Sequence, residues 1–160
     1  MQHIRTHMLD ASALAKLFLE EPTSDVVRTY FAEHSVFLVT SYVVGEVLGI
    51  LKRVHVKGGL PTDQYLACSE ELMAMLRNET LQVEECALSL REVFDETEKV
   101  ARKYQLDIVD AHQLVALARS VVASLPGDSR AIFVTADQKL AEAATSEGLR
   151  VWDCRSSAAP

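Results

Sequence analysis

Val36-Phe37-Leu38-Val39-Thr40-Ser41-Tyr42-Val43-Val44-Gly45-Glu46-Val47 decides how this chain folds. Val36 to Val39 form a short, continuous apolar run, which reads as a strand buried on both faces. From Ser41 the apolar positions change to helical spacing, with Val43, Val47, Ile50 and Val54 on one stripe, so a helix is predicted over Ser41–Val54. A strand that passes directly into a helix is the unit from which parallel α/β sheets are built. The stretch from Ser35 to Leu51 also holds a single charged residue, Glu46.

Working outward, the same alternation recurs. A strand is predicted over Ile4–Leu9, then a helix from Ser12, as N-cap, to about Glu20, closed by Pro22. Further helices are predicted over Ser24–Ala32, over Thr62–Arg77 after the break at Lys57-Gly58-Gly59-Leu60-Pro61, over Ala87–Tyr104 and over Asp107–Ser124. Strands are predicted at Leu81–Val83, Ala131–Val134 and Arg150–Trp152, with a turn at Pro126-Gly127-Asp128-Ser129 and a helix over Ala136–Ser146 ended by Gly148. The expected fold is therefore α/β, a mostly parallel sheet of about five strands. With no repeat or linker, residues 1–155 are expected to form one domain and 156–160 a flexible tail.

Composition narrows the function classes. Hydrophobic residues make up 49% and charged residues 24%, which excludes a disordered chain. No apolar run approaches the ~18 residues that span a bilayer, and the polar start offers no secretory leader, so a cytoplasmic protein without a membrane partner is expected. Cys68, Cys86 and Cys154 lack C-x-x-C spacing and read as free thiols. The formal net charge of −7 is the opposite of what electrostatic nucleic-acid binding favours. A phosphate substrate would have to be held by local cations, with Arg5, Lys16, Lys52, Arg53 and Lys139 as candidates, and by bound metal.

Four carboxylates stand out because each is isolated among apolar or small residues: Asp10, Glu46, Asp110 and Asp137. A lone buried carboxylate is costly to ionise unless a cation meets it. Asp10 and Asp137 follow strands, and ligands of parallel sheets bind beyond the strands' carboxyl ends. Glu46 lies in the second turn of the helix that leaves Val39. Asp110 is collinear with Leu114, Leu117 and Val121 and so points toward the core. Each has a local reading as well, as turn residue, snorkelling acid, first-turn acid or helix cap, but together they read as one site for a hard divalent cation. Asp107 reads more simply as an N-cap, while Ser12 and Thr135 are candidate supporting hydroxyls. His112 reads as structural, and with one His near the acids a zinc or iron centre is disfavoured. His3 and His7 read as terminal or strand-edge residues, and Glu20-Glu21 and Glu84-Glu85 as solvated acids. No P-loop, dinucleotide or nucleophile-elbow motif is present. A haloacid-dehalogenase-like phosphatase would need a second Asp where Ser12 stands.

Met8-Leu9-Asp10-Ala11-Ser12-Ala13-Leu14-Ala15-Lys16-Leu17-Phe18 with Glu20-Glu21-Pro22 downstream resembles the opening of PIN domains. So do Thr40 to Leu48 around Glu46, Leu106 to Ala118 around Asp110, and Phe133 to Ala141 around Asp137, in the order and spacing of the VapC-type toxin branch. The resemblance implies a three-layer α/β/α fold and a Mg²⁺- or Mn²⁺-dependent endoribonuclease. It implies that Asp10, Glu46, Asp110 and Asp137 serve as catalytic metal ligands and that Ser12 or Thr135 supports them. It also implies an antitoxin partner and a homodimer. A housekeeping PIN nuclease without an antitoxin shares every one of these motifs, and an inactive PIN-like binding module would have no need of all four acids.

Overall fold

A computed structural model describes residues 5–34, 36–156 and 158–160. Five strands, β1 (Thr6–Leu9), β2 (Val36–Val39), β3 (Leu81–Val83), β4 (Ile132–Thr135) and β5 (Arg150–Asp153), form one sheet in the order β3-β2-β1-β4-β5. Every pairing is parallel. Among the described residues there are seven α-helices, α1 (Ala11–Ala15), α2 (Ser24–Glu33), α3 (Ser41–Val56), α4 (Thr62–Arg77), α5 (Arg91–Tyr104), α6 (Ile108–Arg119) and α7 (Gln138–Ser146), and two short 3-10 turns.

The strand period of two sorts side chains onto two faces and produces three layers. Leu9, Phe37, Val39, Leu81, Ile132, Val134 and Trp152 meet Leu14, Val27, Val43, Val47, Leu51 and Leu72, so α1 to α4 cover one face. Met8, Leu38 and Phe133 meet Leu114, Leu117, Leu140 and Ala144, so α5 to α7 cover the other. No helix among the described residues is long and apolar enough to cross a membrane.

Several predicted boundaries move, each for a local reason. The first helix is capped by Asp10 rather than Ser12 and stops at Ala15, not Glu20. Lys16, Leu17 and Phe18 each donate backbone N–H to the residue three before, which tightens the chain into turns. The fifth helix begins at Arg91 because Leu90 N–H bonds Ala87 O in a turn over the residues assigned to its start. The sixth ends at Arg119: Ser120 is extended, and its hydroxyl donates to Leu117 O. Val121 consequently leaves the stripe shared by Leu114 and Leu117 and is 79% exposed. On α3 the buried stripe is Val43, Val47 and Leu51, with Ile50 and Val54 only partly buried. His7 is no edge residue, since β1 is the central strand and the ring is sealed against Tyr30, His34 and Phe37. The expectations for His3 and Ile4 lie outside the described residues. The three cysteines are free.

Candidate active site

The carboxyl edge of the sheet is polar because the turns that follow β1 and β4 are built on side-chain hydrogen bonds. Asp10 stays extended after β1, and its N–H donates to Val134 O (3.1 Å), which carries the pairing one residue past the strand. Its carboxylate is 3% exposed. Oδ1 accepts from Ala13 N–H (2.8 Å) and Ser12 Oγ (2.9 Å), and Oδ2 from Ser12 Oγ and Thr135 Oγ1 (both 2.8 Å). The two hydroxyls are in turn fixed by the other turn, because Ser12 Oγ accepts from Ala136 N–H (2.8 Å) and Thr135 Oγ1 from Asp137 N–H (2.9 Å). Asp137 then caps α7 through Leu140 N–H (2.8 Å). Every donor of this network points at Asp10 or holds a group that does.

The first turn of α6 faces the same edge. Asp107 caps it, accepting from Asp110 N–H (2.8 Å), and the edge-on contact of Tyr42 with His112 (centroids 5.0 Å apart) joins the starts of α3 and α6. No hydrogen bond reaches the Asp110 carboxylate among the described residues. Burial, then the charges of Asp107, Asp10, Glu46 and Asp137, push its pKa up to about 7. Asp10 is pushed up to about 6, chiefly by burial, which its hydrogen bonds from Ala13, Thr135 and Ser12 only partly offset. Glu46 is raised by desolvation and by Asp107 and is opposed by Arg53, the one cation among the proposed phosphate contacts whose charge it feels. The other candidates are committed elsewhere: Arg5 to Pro160 O, Lys16 to Pro22 O, Lys52 over the Tyr65 ring and Lys139 to Gln105 O.

The structure thus gathers Asp10, Glu46, Asp110 and Asp137 at one edge together with Asp107, read from the sequence mainly as a cap, which is both cap and neighbour. Two expectations change. Glu46 and Asp137 are exposed on the rim rather than buried, because α3 turns its Val43–Val47–Leu51 stripe inward and Asp137 precedes the buried part of α7. Among the described residues no group of three or more His, Cys, Asp or Glu side chains is placed so that it could hold a metal ion as it stands. The donor set in its chemistry still fits a hard cation: all are carboxylate oxygens, and burial with the charges of the neighbouring acids raises Asp110. Magnesium in particular is held through one or two carboxylates with waters completing its shell.

The family model described as the PIN domain matches residues 7–145 of the chain. Among solved structures, the chain is similar to the crystal structure of PAE2754 from Pyrobaculum aerophilum. The TM-score is 0.58 and the identity 21%, covering 87% of this chain and 86% of that one, a likeness of fold. No curated protein sequence matches the chain.

Proposed function

Because the chain belongs to the PIN-domain family, whose members are in general metal-dependent nucleases acting on RNA, we propose that it is a Mg²⁺- or Mn²⁺-dependent endoribonuclease and the toxin of a type II toxin–antitoxin pair. The observation that carries the nuclease reading is the convergence on Asp110 of the charges of Asp107, Asp10, Glu46 and Asp137. Asp10, Glu46, Asp110 and Asp137 would hold one or two ions, which supply an activated water and charge neutralisation at the scissile phosphate. Ser12 and Thr135 hold the Asp10 carboxylate in one orientation, so that no rotamer freedom is lost when the site fills. Asp110 is about half protonated at neutral pH and gives up that remaining proton as positive charge arrives. No separate general base is required of the protein.

The toxin reading rests on the four flanking motifs. The acidic edge and the net charge of −7 favour a basic antitoxin segment, whose Arg can pair bidentately with a carboxylate. Homodimer formation is supported by Leu66 and Met73, 52% and 39% exposed and two turns apart on α4. A cytoplasmic setting accords with the free thiols.

Cleavage of a structured RNA with Mn²⁺ and with EDTA tests the enzyme. Activity in EDTA, or wild-type activity in Asp110→Asn, contradicts it. Co-expression with the small reading frame encoded beside this one tests the toxin. Growth arrest relieved by a co-purifying neighbour is expected, whereas unaffected growth and no bound neighbour would leave a housekeeping nuclease.

A further inference from the structure

Beside the acid site, and sharing Ser12 and Ala136 with it, lies a cavity of about 490 Å³ between the α1–α2 connection, α3 and the chain after β5. Its walls are apolar on one side, from Ala15, Pro22, Ile50 and Ala136, and charged on the other, from Lys16, Glu21 and Arg155. The volume suits one nucleotide unit. Glu21 is exposed, as a solvated acid should be, and its side chain stands at the rim of this wall. Its N–H donates to Ser24 Oγ (3.0 Å), which itself donates to Leu19 O (2.8 Å), and its Oε2 lies 3.4 Å from Lys16 Nζ. Lys16 is buried, and its Nζ also donates to Pro22 O (2.7 Å). Arg28 reaches Leu17 O and Leu19 O, and Thr23 Oγ1 donates to Cys154 O (2.6 Å). The irregular connection is therefore tied down from four sides, which makes a preformed wall.

The charges select the occupant. Lys16 is countered by Glu21 and Arg155 by Asp153, so a phosphate entering here would meet the Glu21 carboxylate and, among the described lining residues, no unpaired cation. A neutral planar ring meets no such penalty, can lie on Ile50 and Pro22, and can stack on the Arg155 guanidinium, the way single-stranded bases are commonly held. Donor and acceptor then stand side by side on the polar wall. The Glu21 carboxylate offers two acceptor oxygens, and Lys16 has three N–H donors of which two are engaged. Of the four RNA bases only guanine offers two adjacent donors, N1–H and N2–H, next to an acceptor, O6.

Resting on the endoribonuclease reading above, we propose that this cavity is a base-reading subsite that takes a guanine next to the scissile phosphate, with Glu21 accepting from N1–H and N2–H and Lys16 donating to O6. Glu21 is then a specificity residue, not a catalytic one.

The test is an NMR titration of the whole chain in EDTA with GMP, AMP, CMP and UMP, and with inorganic phosphate alone. GMP is expected to shift the amides of Ala15, Lys16, Glu21, Ile50 and Ala136 and to bind about tenfold or more tightly than the other three, the discrimination one bidentate base contact gives. Glu21→Gln should reduce that preference to less than about threefold, since a donor replaces one acceptor. Arg155→Ala, in the exposed segment after β5, should weaken all four nucleotides alike through lost stacking. Equal response to the four nucleotides, the same shifts with phosphate alone, or no shift at these amides overturns the proposal. The titration needs neither metal nor cleavage. Cleavage with an empty cavity therefore overturns this inference alone, whereas a guanine-selective cavity without cleavage overturns the nuclease reading and the placement beside a scissile phosphate, and leaves the base preference standing.

Discussion

At the end of β1, Asp10 is almost completely enclosed, and both of its oxygens accept from Ala13, Ser12 and Thr135. In the first turn of α6, Asp110 is only partly buried, no donor meets its carboxylate among the described residues, and four other acids face it. Both are held above the ordinary value of 3.8, Asp10 by desolvation despite its donors and Asp110 by desolvation with added repulsion. The difference separates two jobs within one site. On the proposed reading, Asp10 is positioned before anything binds, whereas Asp110 becomes fully charged only when a cation arrives.

The largest expected effect ignores that distinction. Asp10→Asn and Asp110→Asn should each lower Mn²⁺-dependent RNA cleavage by about 10³-fold or more, because each removes a ligand charge from the reacting centre. Asp107→Asn, which keeps its cap acceptor, should lose far less; an equal loss in initial rates would make it a ligand. The hydroxyls around Asp10 come next. Ser12→Ala and Thr135→Val should cost about 10–100-fold in cleavage, the usual effect of groups that orient a ligand. No hydroxyl supports the Asp110 carboxylate in this way among the described residues.

Stability separates the two acids in sign. Without metal near pH 8, Asp110→Asn removes an opposed charge and should melt above wild type by about 1 kcal/mol or more, roughly 2–4 °C in Tm for a chain of this size. Asp10→Asn turns an amide donor toward Ser12 and Thr135, whose protons already point inward, and should melt about 1–3 kcal/mol below Asp110→Asn. Equal melting of the two variants would erase the contrast. With pH, the folded protein holds protons on both acids that the unfolded chain gives up. This stabilisation is complete below about 3.8 and is lost as pH rises through about 6 for Asp10 and about 7 for Asp110. Metal-free Tm should therefore fall over that window, and Asp110→Asn should lack the upper part of the fall. The effect of metal on Tm is of similar size. With ~10 mM Mg²⁺ against a Kd of ~1 mM, binding adds about 1.4 kcal/mol, some 3–5 °C, in wild type but not in Asp110→Asn.

The sequence made the strand-to-helix units legible because the change from a continuous apolar run to helical spacing is a local signal, as Val36–Val47 shows. It made the four acids legible because charge is conspicuous among apolar neighbours. Three features lay beyond it. The end of α6 at Ser120 depends on one serine hydroxyl folding back on Leu117. The closure of Asp10 by Thr135 joins residues far apart in the chain, and only the pairing of β1 with β4 brings them together. Glu21 is the surface acid its sequence suggested, but nothing nearby in sequence reveals that it borders a cavity with Lys16 and Arg155.

The most direct test of the central claim, that these carboxylates form one cation site with Asp110 as its waiting member, is a calorimetric Mn²⁺ titration at pH 7 in two buffers of different ionisation enthalpy. Wild type should bind Mn²⁺ and release a substantial fraction of a proton as it does so, because Asp110 is about half protonated there, while Asp110→Asn should bind far more weakly and release almost none. Binding without proton release, or equal binding by Asp110→Asn, would contradict it.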